Sequence, residues 1–282
     1  SSGNCGLCKA RLVSGEVTKV RPHDFVLSSA DKALGFVLMC SNAPAADLVL
    51  EAGEARAPHE IPSQHIVARV RALTPLGAHV TLLHLQTPRT QRLRFLAGQY
   101  VALTIGDAHA QLPIASCPCD DRNLQFHIAD DDGAFARQVA ALRLGDAVTV
   151  EGPMGEFTLA EPVERPAIFI AAETGFAPIK SLIEHLIALD ETRPIDLYWL
   201  APNDGHYMTN LCRSWADALD AFRYVPIAAD AAAYDAALAR IGAGYSDLAA
   251  HDIYVAGPVA LLAAARVRLT PSLKQALRLA PV

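Results

Sequence analysis

The sequence predicts a multidomain chain in which a small antiparallel β-barrel precedes a doubly wound parallel α/β domain. Two patterns carry that expectation. Between His65 and Asp130 the runs "HIVARVRALTP", "HVTLLHLQTP", "GQYVALTIG" and "LQFHIAD" are short and rich in β-branched and aromatic residues, with Pro, Gly and Asp turns and no helical stretch between them. From Ala167 onward, buried strands alternate with amphipathic helices, as in a parallel sheet covered on both faces. With 282 residues, 52% of them hydrophobic, the chain is long enough to bury two or three such cores.

Composition excludes some partners. A net charge of -6 without a long basic run argues against nucleic acid, and no apolar run approaches the roughly 20 residues that span a bilayer. "SSGNCGLCKA" is no signal peptide, so a cytoplasmic protein is expected.

The first sixty residues carry a close C-x2-C pair, Cys5 and Cys8, followed by Cys40. Three thiolates can hold zinc with a fourth ligand such as His23, can fill a core, or can hold part of an iron-sulfur cluster. Glu54 to Gln64, polar and proline-containing, reads as a linker into the barrel runs. "GAFARQVAAL" then supplies one helix, and "GDAVTVEGPMGEFTL" returns to strand.

The stretch Ala167 to Ile187 reads as strand, turn and helix. Ala167 to Ala172 is continuously apolar, as for a strand buried on both faces, and Phe176, Ile179, Leu182, Ile183, Leu186 and Ile187 recur at helical spacing. Thr174 is expected to cap that helix, Gly175 to permit the turn, and Pro178 to sit in its first turn. Free amides at such a helix start favour an anion, most often a phosphate. Beyond it, "PIDLYWLAP" and "FRYVPIAAD" are strands, and "TNLCRSWADALDAF" and "GPVALLAAARVRL" helices. Cys212, Trp199 and Trp215 are read as core residues, and Cys117 and Cys119, with no other Cys or His near in sequence, as no metal site.

Two resemblances follow from these residues. "CKARLVSGEV" and "LMCSNAPAADLVLE" resemble the second half of a plant-type 2Fe-2S ferredoxin module, which implies a β-grasp fold for residues 1–60 and Cys5, Cys8 and Cys40 as cluster ligands. By that pattern the fourth Cys belongs immediately before Ser1, so this chain alone is expected to hold little cluster. "FLAGQYVAL", "LRLGDAVTVEGPMGEF", "AAETGFAPIKSLIEHL" and "DIYVAGP" resemble, in order and spacing, the ferredoxin–NADP reductase family in its version with an N-terminal ferredoxin. That implies a six-stranded flavin barrel over 63–160, a nucleotide domain over 161–282, and electron flow from NAD(P)H through FAD to the 2Fe-2S centre and on to a redox partner such as an oxygenase. The alternative is a non-catalytic docking or regulatory subunit that keeps the fold without the flavin.

Departures from the family pattern shape the site expectations. Where the family has Arg-x-Tyr-Ser, this chain has Ala110, Gln111, Leu112 and Pro113, so FAD, or FMN, is expected to bind weakly or not at all. Leu112, Pro113, Ile114 and Ala115 are expected to line the flavin ring, and Gly133, Ala134, Phe135 and Ala136 to meet its phosphate. Thr174 and Gly175 would cradle the nucleotide, with Ala256, Gly257 and Pro258 beside the nicotinamide. Glu173 replaces a glycine of the family's turn and places a carboxylate near the diphosphate unless it turns away. The stretch from Ala201 to His206 lacks the Ser and Arg of NADP-selective members, and Asp204 would repel a 2′-phosphate, so NADH is the expected donor.

Overall fold

The computed structural model describes residues 8–51, 55, 57–130, 133–160, 165–202, 204–269 and 277–282. The chain divides into two compact units, one of Ser1–Arg56 with Pro88–Arg92 and the other of Ala57–Thr87 with Leu93–Val282. Among the described residues no helix is long and apolar enough to cross a membrane.

The first unit holds β1 (Lys9–Ser14), β2 (Val17–Lys19), α1 (Ser29–Ala33), β3 (Phe36–Leu38), β4 (Asn42–Pro44) and β5 (Val49–Glu51). β1 is central in an antiparallel sheet ordered β3-β1-β5, and β2 pairs with β4. The short α1 starts on Ser28, whose Oγ accepts the Asp31 N–H at 3.0 Å, and Asp31 suits the positive end of the helix.

In the second unit β6 (Gln64–Pro75), β7 (Val80–Gln86), β8 (Tyr100–Ile105), β9 (Ala108–Pro113), β10 (Asn123–Ala129), α2 (Ala134–Ala141) and β11 (Ala147–Met154) follow one another. The strands form a six-stranded antiparallel sheet ordered β10-β7-β6-β11-β8-β9. Period-two patterning builds its interior: Ile66, Ala68 and Val70 of β6 are buried, while Val67 between them is 44% exposed. All six strands contribute to one core, capped by Val139 and Phe135 of α2. The outermost strands meet where the Ala115 N–H donates to the Gln125 carbonyl at 2.8 Å, so the sheet curls toward closure.

The chain then alternates β12 (Ala167–Ala172), α3 (Phe176–Ala188), β13 (Ile195–Ala201), α4 (Thr209–Ala218), β14 (Phe222–Ala228), α5 (Tyr234–Ala243), β15 (Asp252–Gly257), α6 (Val259–Leu269) and β16 (Leu277–Pro281). The sheet is parallel throughout, ordered β14-β13-β12-β15-β16. β12 is apolar at every position because both of its faces are covered. Ile168, Ile170 and Ala172 pack against α5 and α6, whereas Phe169 and Ala171 face α3. Ala97 and Phe157, from the barrel part of the chain, join the α3 side, so barrel and parallel sheet share a core. Chain order reverses between β12 and β15, which opens a crevice at the carboxyl ends of these strands.

Candidate functional site

The β12–α3 junction is tighter than the sequence implies. Glu173–Gly175 forms a 3-10 turn that runs into α3, and no side chain caps the helix there, so Thr174 does not take the expected capping role. Glu173 has φ 53°, the left-handed conformation that a glycine permits at this position, and Trp199 Nε1 donates to its carbonyl at 3.2 Å. Its carboxylate accepts from the Tyr234 hydroxyl at 2.8 Å, so the charge is held by α5. Gly175 is needed for room: a Cβ there would lie 2.1 Å from the Ala256 carbonyl oxygen. The expected pair Thr174–Gly175 and Ala256–Gly257 therefore meets at the reversal of chain order, with Pro258 leading into α6.

A cavity of about 650 Å³ lies beside this junction. One wall comes from the barrel, with Tyr100, Gln111, Pro113 and Gly155, and the other from Arg278 to Val282 of the last strand and the residue after it. The Val282 N–H donates to the Gly257 carbonyl at 3.3 Å, which joins that wall to the junction. The Tyr100 ring lies close against Gly155, where a Cβ would approach it to 2.8 Å.

Of the four residues expected to line a flavin ring, Pro113 is on this cavity. Leu112 packs against the barrel core because successive residues of a strand point to opposite faces, and Ile114, just past the end of β9, is fully buried in that core. Ala115 is also fully buried, and Gln111 takes the remaining place on the wall. Gly133 is the N-cap of α2, with Ala134, Phe135 and Ala136 in its first turn. A helix N-terminus there offers amides to an anion, and Ala110, on the strand β9 that α2 packs against, carries no charge.

Three buried contacts that the sequence does not announce fix the barrel to α3. The Lys180 ammonium, 3% exposed, donates to the Ala115 carbonyl at 3.1 Å and to Gln125 Oε1 at 3.2 Å, and pairs with Glu184 at 2.7 Å. Ser181 Oγ donates to the Ser116 carbonyl at 2.7 Å. His127 of β10 is stacked on Phe176, and its Nδ1 lies 3.0 Å from the Tyr207 hydroxyl. Each is polar within an apolar setting, so the spacing of hydrophobic residues conceals it.

Burial, with Lys180 nearby, lowers the His127 pKa to about 3. The imidazole is thus neutral in the fold, while an unfolded chain protonates it below about 6.5. Stability is present above pH 6.5 and is lost as pH falls toward 3, at about 1.4 kcal/mol per unit. Urea unfolding at pH 7.5 and pH 5 should show His127→Gln losing about 2 kcal/mol less than the original chain over that interval. Equal losses in both proteins would show that His127 titrates normally.

In the first unit, the Cys8 and Cys40 thiols are 3.0 Å apart, and burial raises the Cys8 pKa. Cys5 lies outside the described residues, and among the described residues no group of three or more His, Cys, Asp or Glu side chains is arranged to hold a metal. Two thiols are half of the four-thiolate set that a 2Fe-2S centre takes, so the described residues alone do not fit one. Cys117 and Cys119, read as no metal site, are bonded to each other as a disulfide.

Comparison with known proteins adds the following. Residues 67–159 match the model of the oxidoreductase FAD-binding domain, and residues 169–267 that of the oxidoreductase NAD-binding domain. A CDP-6-deoxy-L-threo-D-glycero-4-hexulose-3-dehydrase reductase of Yersinia pestis is 29% identical over 271 residues, 94% of this chain and 82% of that protein. An NAD(P)H-flavin reductase of Vibrio harveyi is 31% identical over 225 residues, 74% of this chain and 93% of that protein. The crystal structure of an Amycolatopsis cytochrome P450 reductase, GcoB, matches with a TM-score of 0.64 at 25% identity, over 99% of this chain and 89% of that one.

Proposed function

We propose, from the premise that this chain belongs to the ferredoxin reductase family of FAD- and NAD(P)H-binding oxidoreductases, that it takes electrons from NADH and delivers them to a redox protein such as an oxygenase. The observation that carries the reading is the cavity walled by the barrel on one side and by the last strand of the parallel sheet on the other. A donor ring and an acceptor ring held by different domains must meet at such a place.

The residues have distinct tasks. Gln111, Pro113 and Tyr100 form the barrel wall for the flavin ring, and the start of α2, Gly133 to Ala136, faces its phosphate. Thr174 and Gly175 receive the nucleotide diphosphate, and Ala256, Gly257 and Pro258 flank the nicotinamide. Lys180 and Ser181 hold the segment after β9 to α3, which ties the two binding surfaces together. Bound flavin supplies a ring that accepts a hydride and releases electrons singly. The rival expectation of a non-catalytic docking subunit is not favoured, since the matched relatives carry the names of reductases.

NADH is the proposed donor. Asp204 is exposed beside the end of β13, and the His206 Nε2 is engaged by the Trp199 carbonyl at 2.7 Å, so that ring is not turned to a 2′-phosphate; Asn203 lies outside the described residues. With ferricyanide as acceptor, kcat/KM for NADH should exceed that for NADPH by about tenfold or more, the equivalent of one repelled phosphate at about 1.4 kcal/mol. Equal values, or a preference for NADPH, would overturn the assignment and leave the family intact.

For the first unit the proposal is a 2Fe-2S ferredoxin-like module, with Cys5, Cys8 and Cys40 among its ligands. It rests on the C-x2-C spacing and on the approach of Cys8 to Cys40. Iron and acid-labile sulfide in Ser1–Val282 should be substoichiometric, because these three thiolates leave one iron position open. Two irons and two sulfides per chain would show that other ligands complete the set.

A further inference from the structure

We infer that the Cys117–Cys119 disulfide is a thiol-exchange site, in which an external thiol attacks Cys119 and Cys117 leaves as the thiolate. The two sulfurs have unlike surroundings. Cys119 is exposed on the 3-10 turn Pro118–Asp120, whereas Cys117 is 5% exposed. Exchange requires access to the attacked sulfur and stabilisation of the departing one, and the structure divides those requirements between the two residues.

Stabilisation of Cys117 comes from two sides. Its Sγ accepts the Cys119 N–H at 3.1 Å, and the Nδ1 of His185, on α3, lies 3.9 Å away. A backbone N–H and an imidazole beside a sulfur both favour its thiolate. The segment before it is anchored, since Lys180 and Ser181 hold the carbonyls of Ala115 and Ser116. The leaving sulfur therefore stays against His185 of α3 while the attacked one is on the exposed residue. None of these sulfur contacts involves the residues that line the cavity.

The step balances without a metal or the flavin. A thiolate bonds to Cys119 Sγ, the bond between the protein sulfurs breaks, and its electron pair goes to Cys117 Sγ, which takes a proton from solvent. A second thiolate then attacks the bound thiol's sulfur and releases Cys119. In sum, two external thiols lose two electrons and two protons to become a disulfide, and the protein pair gains both. The co-substrate class is a small or protein-borne thiol.

The test uses the full chain prepared without reductant and glutathione as probe. Denatured but unreduced protein should leave Cys117 and Cys119 unalkylated, and brief exposure to limiting reduced glutathione followed by acid quench and peptide mapping should place the adduct on Cys119. With oxidised glutathione, the Cys117→Ser variant should take up glutathione on Cys119 at least about tenfold faster than Cys119→Ser does on Cys117, because access governs the rate. An adduct on Cys117, equal rates in the two variants, or alkylation of both cysteines before reduction would overturn the inference. Mapping of the unsubstituted chain decides the matter even if a variant fails to fold.

Discussion

Gly175→Ala is expected to lower NADH oxidation about 100-fold and to destabilise the fold by about 1–3 kcal/mol. The added Cβ would stand 2.1 Å from the Ala256 carbonyl oxygen and 2.7 Å from the Gly257 Cα, both of them backbone atoms of β15. No rotamer relieves a clash with backbone, so either α3 or the end of β15 must move by about an ångström, a displacement that can cost two orders of magnitude when it misplaces reacting groups. Because Val282 bonds to the Gly257 carbonyl, the shift also reaches the wall of the cavity. Steady-state kinetics with NADH and a thermal melt check both effects. Unchanged kcat/KM with an intact fold would separate this junction from the nucleotide site.

The second large effect concerns flavin. Ala110→Arg should tighten FAD binding about 10- to 150-fold, the equivalent of one charge-assisted hydrogen bond of about 1.5–3 kcal/mol. Ala110 pairs with the buried Leu103, so its side chain lies on the face of β9 against which α2 packs. An arginine placed there shares that face with α2, whose start is assigned to the phosphate. Titration of FAD against both proteins by fluorescence quenching measures the gain, and the original chain should purify partly without flavin. No gain in the variant, with nanomolar binding already present in the original, would show that other contacts hold the phosphate.

Much of this arrangement was legible in the sequence for a physical reason: burial on one or two faces imposes a period. β6 alternates and β12 does not, and each pattern names its sheet. Where hydrophobic period and chemistry diverge, the reading fails. α5 was missed because Tyr234, Ala237, Leu238 and Ile241, although helically spaced, stand among alanines that blur the stripe. β16, only Leu277–Pro281, is too short to announce itself, yet it supplies most of one wall of the cavity. Family motifs name Gly175 and Gly257, which the fold brings together, and Leu112 to Ala115, of which Pro113 lies on the cavity because alternate residues of β9 face opposite ways and the two that follow it are buried. Lys180 and His127 carry no periodic signal, since a buried charge on a helix and a buried imidazole on a strand are defined by partners far away in the chain.

Barrel and parallel sheet together are expected to pass a hydride equivalent from NADH to bound FAD. An anaerobic titration of the FAD-reconstituted chain with NADH, followed through the flavin's visible absorption, measures this. That band should bleach in proportion to added NADH until one equivalent per bound FAD is consumed, and return when ferricyanide is admitted. A band that persists with excess NADH, in protein shown to retain FAD, would contradict it.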